Sequence, residues 1–154
     1  MKWCVAVLAV LLLAMLGWMP FEGTDVATLE PAEMVYVYIN KEEVCLQTDG
    51  GWSGSGKSVA EAVTDLHAST PGRVFLQTVD FLLVDKASQK VLPQLFSYLR
   101  SGCGLALIDG RPELKNALAY LHTHRPGLTL QMYRAGAKNI PELILRGEEG
   151  YLIE

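Results

Sequence analysis

The chain lacks any basic block or arginine-rich stripe. Its 13 Lys and Arg are scattered among 17 Asp and Glu, for a formal net charge of −4. Nucleic acid is therefore not an expected partner, because phosphate-backbone binding needs a concentrated positive face. No G-x-S-x-G elbow occurs, so the turn that presents a serine nucleophile in α/β-hydrolases is missing. Histidine is scarce. His122 and His124 are two residues apart near a helix end, which turns them to different sides of the helix. No third ligand has useful spacing, and a metal centre is not expected. These two and His67 have a simpler explanation, since an imidazole near a helix C-terminus favours the dipole there. There is no internal repeat.

Cysteine is also sparse. Of three, Cys4 lies in the apolar leader, leaving Cys45 and Cys103. An oxidising compartment would let these two pair as a disulfide, while two separately buried thiols are the alternative; spacing alone does not decide. Cys103 sits between Gly102 and Gly104, which suggests a tight turn.

Charge is absent altogether from Trp3 to Met19, where Val, Leu, Ala and Met dominate and Lys2 precedes. This is the layout of a signal peptide. The segment Gly17-Trp18-Met19-Pro20-Phe21 is too bulky for a good cleavage site, so an uncleaved membrane anchor is the alternative. The run is a little short of the roughly 20 residues a spanning helix needs, which tilt or thinning accommodates. The expected organisation is a leader over 1–20, a polar linker over 21–33 and one α/β domain over 34–154. The expected location is exported or membrane-anchored, on the extracytoplasmic face of a membrane.

Within the domain, Met34 to Ile39 and Glu43 to Thr48 are rich in β-branched and aromatic residues and flank the polar turn Asn40-Lys41-Glu42. They predict a β-hairpin. Tyr36 and Tyr38 alternate with Val35, Val37 and Ile39, so the tyrosines are expected on the wetter face. Thr48 to Gly56 reads as a Gly/Ser loop. Trp52 in this loop either anchors a partner or covers one side of the domain. Ser58 to Ala68 is the best helix signal, with Val59, Ala62, Val63 and Leu66 on one face and a Ser58/Glu61 capping box. Thr70-Pro71-Gly72 ends it.

Val74 to Leu76 and Val79 to Val84 predict strand. Ser88 to Arg100 predicts a helix that starts late, because Pro93 is tolerated only in the first turn. Leu105 to Ile108 predicts a buried strand, and Pro112 to His122 a helix with Leu114, Ala117, Leu118 and Leu121 inward. Leu128, Leu130 and Met132 alternate as a strand would. Ile140 to Leu145 reads as a short helix and Tyr151 to Ile153 as a last extended piece. Strands alternating with helices predict an α/β layer domain: a small mixed sheet opened by a hairpin, with about three packed helices.

One string has chemical content. Gly51-Trp52-Ser53-Gly54-Ser55-Gly56-Lys57-Ser58 matches the phosphate-loop pattern G-x-x-x-x-G-K-[ST]. Such a loop holds ATP or GTP with Mg: glycines let amides crowd the phosphates, the lysine neutralises them and the hydroxyl ligates magnesium. The acid that completes the metal site would be Asp85, after Phe81-Leu82-Leu83-Val84, or Asp109, after Leu105-Ala106-Leu107-Ile108. Opposing this are the leader, which removes the chain from cytosolic nucleotide, and the polar approach Thr48-Asp49-Gly50. The capping box also places Ser58 before the helix, whereas a phosphate loop needs it in the first turn.

A second pattern covers most of 16–145. It comprises Leu16-Gly17-Trp18, Glu22, then Gly56-Lys57-Ser58-Val59-Ala60-Glu61-Ala62 and Leu66. Phe75-Leu76-Gln77-Thr78-Val79-Asp80-Phe81-Leu82-Leu83-Val84 and the segment from Ala117 to Ile144 complete it. It resembles the N-terminal domain of the Ger(x)C spore-germination lipoproteins, with their Gly-x-[ST]-hydrophobic-x-E-A helix start and following strand. The family's lipobox cysteine has no counterpart before Trp18, its later domains have no counterpart within residues 1–154, and Lys86 to Asp109 departs from the pattern. The resemblance implies a non-catalytic envelope component of a spore-forming bacterium that works through protein partners at a membrane. It also makes Gly56, Ser58, Glu61 and Ala62 a turn, a cap and a core helix.

Overall fold

A computed structural model describes residues 29–146 and 149–153. The leader over 1–20 and the first part of the 21–33 segment lie outside the described residues. The fold is mixed α/β, as the alternation of strands and helices predicts.

In chain order the elements begin with β1 (Leu29–Pro31), β2 (Met34–Asn40), β3 (Glu43–Thr48), β4 (Ser53–Gly56) and α1 (Val59–Ser69). Next come β5 (Arg73–Phe75), β6 (Phe81–Asp85), α2 (Leu92–Leu95), β7 (Gly104–Ile108) and α3 (Leu114–Thr123). α4 (Leu130–Arg134), β8 (Glu142–Arg146) and β9 (Glu149–Ile153) end the described chain. A seven-stranded sheet runs β4-β3-β2-β6-β7-β8-β9, and β1 pairs with β5 separately. The centre, β2-β6-β7-β8, is parallel; hairpins form both margins, β4-β3-β2 on one side and β8-β9 on the other.

Both faces of the sheet are covered, so the central strands are apolar on both sides. On the first face Val35, Val37, Leu82, Val84 and Leu105 meet α1, α2 and the approach to α4. On the second, Met34, Tyr36, Phe81, Leu83 and Ala106 meet α3. The expectation of a wet tyrosine face fails for that reason: α3 covers it, and Tyr36 is only 1% exposed. Trp52 is half-buried against the first core. The end of the expected linker is also part of the domain, since β1 pairs with β5 and Ala32 is in the core.

The β2–β3 hairpin forms as predicted, and Lys41 and Glu42 both adopt positive φ at its turn, the conformation that matches strand twist. α1 buries Val59, Ala62, Val63 and Leu66, as the periodicity predicts. Fully burying each larger member of that set contributes roughly 1.5–3 kcal/mol. Thr70 closes the helix, its hydroxyl donating to the Leu66 carbonyl at 2.6 Å. α3 likewise buries Leu114, Ala117 and Leu121.

Besides β1, four elements differ from the sequence reading. Ser53–Gly56, expected as loop, is strand β4, because β3 supplies a ladder that its composition does not advertise. The predicted helix over 88–100 shrinks to a 3-10 segment, Lys86–Val91, and one α-turn with Pro93 at its start. The alternating Leu128, Leu130 and Met132 fall in and before α4, where the Thr129 hydroxyl accepts the Met132 amide at 3.3 Å as N-cap. Ile140 to Leu145 gives strand β8, since the open side of β7 and the β9 return both pair with it.

Candidate functional site

In open α/β sheets, ligand chemistry gathers beyond the carboxyl ends of the parallel strands. β4 is antiparallel to β3 and β3 to β2, so β4 runs the same way as β2. Gly56 is level with Val44, and Val44 with Ile39. The entry to α1 therefore lies at the same edge as Asp85, Asp109 and the N-terminus of α3.

The phosphate-loop string takes an unexpected shape there. Gly51 makes a turn at φ +86°, its amide donating to the Thr48 carbonyl at 3.0 Å. The four residues Ser53–Gly56 are extended rather than curled. Gly54 and Gly56 are required by packing: a Cβ on Gly54 would stand 2.3 Å from the Leu66 amide nitrogen, and one on Gly56 2.4 Å from the Glu61 Cβ. Their glycines let α1 lie directly on β4. The Ser55 amide donates to the Asp65 carboxylate at 2.8 Å, and the Lys57 amide to the Glu61 carboxylate, also at 2.8 Å. The Ser58 hydroxyl accepts the Glu61 amide at 3.3 Å. This is the predicted capping box with one shift: the carboxylate reaches the residue before the N-cap.

The remaining members of the nucleotide reading are dispersed. Lys57 is exposed on the surface. Asp85 is in β6, three positions from β4 in the sheet order, about 14 Å at ordinary strand spacing. Its carboxylate accepts from the buried Ser88 hydroxyl at 3.2 Å, and Ser88 in turn accepts the Ile39 amide at 2.8 Å. Asp85 thus fastens β2 to the segment after β6. Asp49, in the polar approach to the loop, accepts the Glu33 and Met34 amides at 3.0 Å each and fixes the start of β2.

Cys45 and Cys103 are free thiols, correcting the disulfide alternative. Cys45 is opposite Tyr38 in the β2–β3 register, so it faces the side of the second core, whereas Cys103 is buried in the first. The sheet stands between them. Burial pushes the Cys103 thiol up to about 12, leaving it protonated and unreactive.

A groove missed by sequence reading opens between the end of β7, strand β8 and the start of α3. Its walls include Asp109, Arg111, Glu113, Asn116 and Glu142, and its volume is about 430 Å³. One side is pinned to β2: the Tyr36 hydroxyl donates to the Gly110 carbonyl at 2.8 Å, and the Arg111 guanidinium stands 4.6 Å from the centre of the Tyr38 ring. The two tyrosine rings stack at 5.2 Å. Burial, with the Asp85 charge adding to it, pushes the Tyr36 hydroxyl up to about 12. Burial and then Cys45 also raise Tyr38. Two of the groove's acids have local partners. Glu113 accepts from the Asn116 amide at 3.0 Å, and Glu142 pairs with Lys86. Among the described residues no group of three or more His, Cys, Asp and Glu is placed to hold a metal ion. No described helix is long and apolar enough to cross a membrane.

Comparison with protein-family models, with curated proteins and with solved structures gives no match to the chain.

Proposed function

We propose that this chain is a non-catalytic envelope protein, exported or held to the membrane through residues 3–19. It works through protein contacts, in a role related to spore germination. One observation carries the reading: the Ser55 and Lys57 amides and the Ser58 hydroxyl of the 51–58 string are engaged within the domain. The Ser55 and Lys57 amides serve Asp65 and Glu61, and Gly54 and Gly56 accommodate α1. The motif therefore has a structural reason to exist without a phosphate. The apolar leader supports the location, and the resemblance of 16–145 to germination lipoproteins supports the role.

A second reading keeps one favourable observation. The α1 entry does lie at the carboxyl edge, where a small nucleotide-binding protein would use Gly51, Gly56, Lys57, Ser58 and Asp85 with ATP or GTP and Mg. The two readings separate in cells. A tagged full chain, expressed in a spore-forming bacterium, should sediment with membranes or appear outside the cell. Protease added to intact protoplasts should digest any membrane-held fraction, and loss of the protein should slow germination. Recovery in the cytosolic fraction with germination unchanged would overturn the first reading.

A further inference from the structure

The groove beside α3 sets Asp109, Glu113 and Glu142 against Arg111. A second groove, of about 360 Å³, has the opposite charge balance. It lies on the first face, between the segment that follows α2 and helix α4. Its walls are Phe96, Ser101, Leu130, Gln131, Arg134 and Ala135. None of these is acidic, and Arg134 is the charged one. The volume is within the roughly 300–1,000 Å³ of small-molecule sites.

The walls are fixed by the fold. The Leu130 amide donates to the Cys103 carbonyl and the Gln131 amide to the Ser101 carbonyl, both at 2.9 Å. The Thr129 hydroxyl caps the start of α4. Leu130 is buried in the first core, and Phe96 packs on that core with the Tyr133 ring turned edge-on to it at 6.3 Å. The apolar walls are thus in place before any ligand arrives, which lowers the cost of binding.

The polar side chains are uncommitted. The Arg134 guanidinium stands 5.9 Å from the centre of the Phe96 ring, and both residues line the groove. Among the described residues no carboxylate lies within ion-pair distance of Arg134. No side-chain hydrogen bond engages Ser101 or Gln131 either. A guanidinium that rests a face on an aromatic ring keeps its donor edge for a planar anion, and its fork matches a carboxylate. An amine would meet a like charge. Inorganic phosphate would leave Phe96, Leu130 and Ala135 uncovered.

We propose that this groove binds a small carboxylic acid with a compact apolar body. The carboxylate pairs with Arg134, and the body lies against Phe96 and Leu130. The proposal goes beyond the preceding reading and depends on neither its location nor its role.

The probe is phenylacetate. Phenylacetamide is its uncharged counterpart, and inorganic phosphate is an anion without the apolar body. Each is titrated into the isotope-labelled full chain in lipid nanodiscs while amide resonances are followed. Phenylacetate at millimolar concentration should shift Gln131 and Ala135. Phenylacetamide and phosphate should each bind at least about tenfold more weakly. Arg134→Gln should weaken phenylacetate by a similar factor and leave phenylacetamide unchanged, a selective loss that general damage to the fold would not give. Phenylacetamide or phosphate binding as tightly as phenylacetate would overturn the proposal. So would phenylacetate binding that Arg134→Gln leaves intact, or no shift at Gln131 and Ala135.

Discussion

The β4 and β9 margins pose the same physical problem, a row of outward backbone groups, and the described residues around them differ. At β4 the solution is encoded in glycine. Gly54 and Gly56 bring α1 close enough for Asp65 and Ser69 to satisfy the strand's free side. At β9 the sequence instead places Tyr151 and Ile153 beside the edge. The lesson is that a glycine-rich string that matches a phosphate loop can also serve to close a sheet edge. What distinguishes the two roles is the destination of the amides.

The largest test of the closed margin is Gly54→Val. Its side chain would meet the α1 backbone at the Leu66 amide and Ala62 carbonyl, where neither can yield without moving the helix. We expect destabilisation of about 3 kcal/mol or more by urea unfolding. A near-neutral result would mean that α1 does not lie on β4 and would erase the difference between the margins.

The strands between the margins have their own signature in alkali. The Tyr36 pKa is raised from 10.0 to about 12, so the native state favours the neutral phenol. Stability should be unaffected by this group below pH 10, fall as the unfolded chain ionises, and level off above about 12. The total loss from this group is roughly 2–3 kcal/mol. Cys103, raised from 9.0 to about 12 by burial, adds a loss that begins about one unit lower. In Tyr36→Phe the slope between pH 10 and 12 should flatten while the Cys103 component remains. An unchanged profile would contradict the buried setting of Tyr36.

Asp65→Ala removes the acceptor for the Ser55 amide on the closed edge and should cost about 1–2 kcal/mol. Its sharper readout is hydrogen exchange, which should accelerate at Ser55 and leave Gly150 and Leu152 unaltered. At β9, Ile153→Lys should change stability by less than about 0.5 kcal/mol, as for other exposed positions. A larger cost there would show that β9 is covered and that the two margins are alike.

Much of the fold was legible where local signals agree. α1 has its cap, its stripe and its terminator within a short window, and the β2–β3 hairpin has two β-rich runs about a polar turn. β4 was not legible, because Ser-Gly-Ser-Gly has no strand character of its own. Its conformation comes from β3 on one side and α1 on the other, both non-local. α4 was misread because three alternating apolar residues fit a strand, although Thr129 offered a capping signal. β8 was misread because a short apolar run does not fix its own period. The candidate site was less legible than the fold. A motif singles out Lys57, Ser58 and Asp85, yet Glu61 engages the first two and Ser88 the third. Tyr36 and Arg111 gave no motif, and only the topology brings the loop between β7 and α3 over β2.

The most direct test is amide hydrogen exchange of Ser55 and Lys57 in the full chain, with and without millimolar ATP and magnesium. Edge closure predicts that both amides are protected beforehand and unchanged by nucleotide, and that Lys57→Ala leaves the pattern intact. New protection at residues 54–58 on adding nucleotide, lost in Lys57→Ala, would contradict the account and make the string a phosphate site.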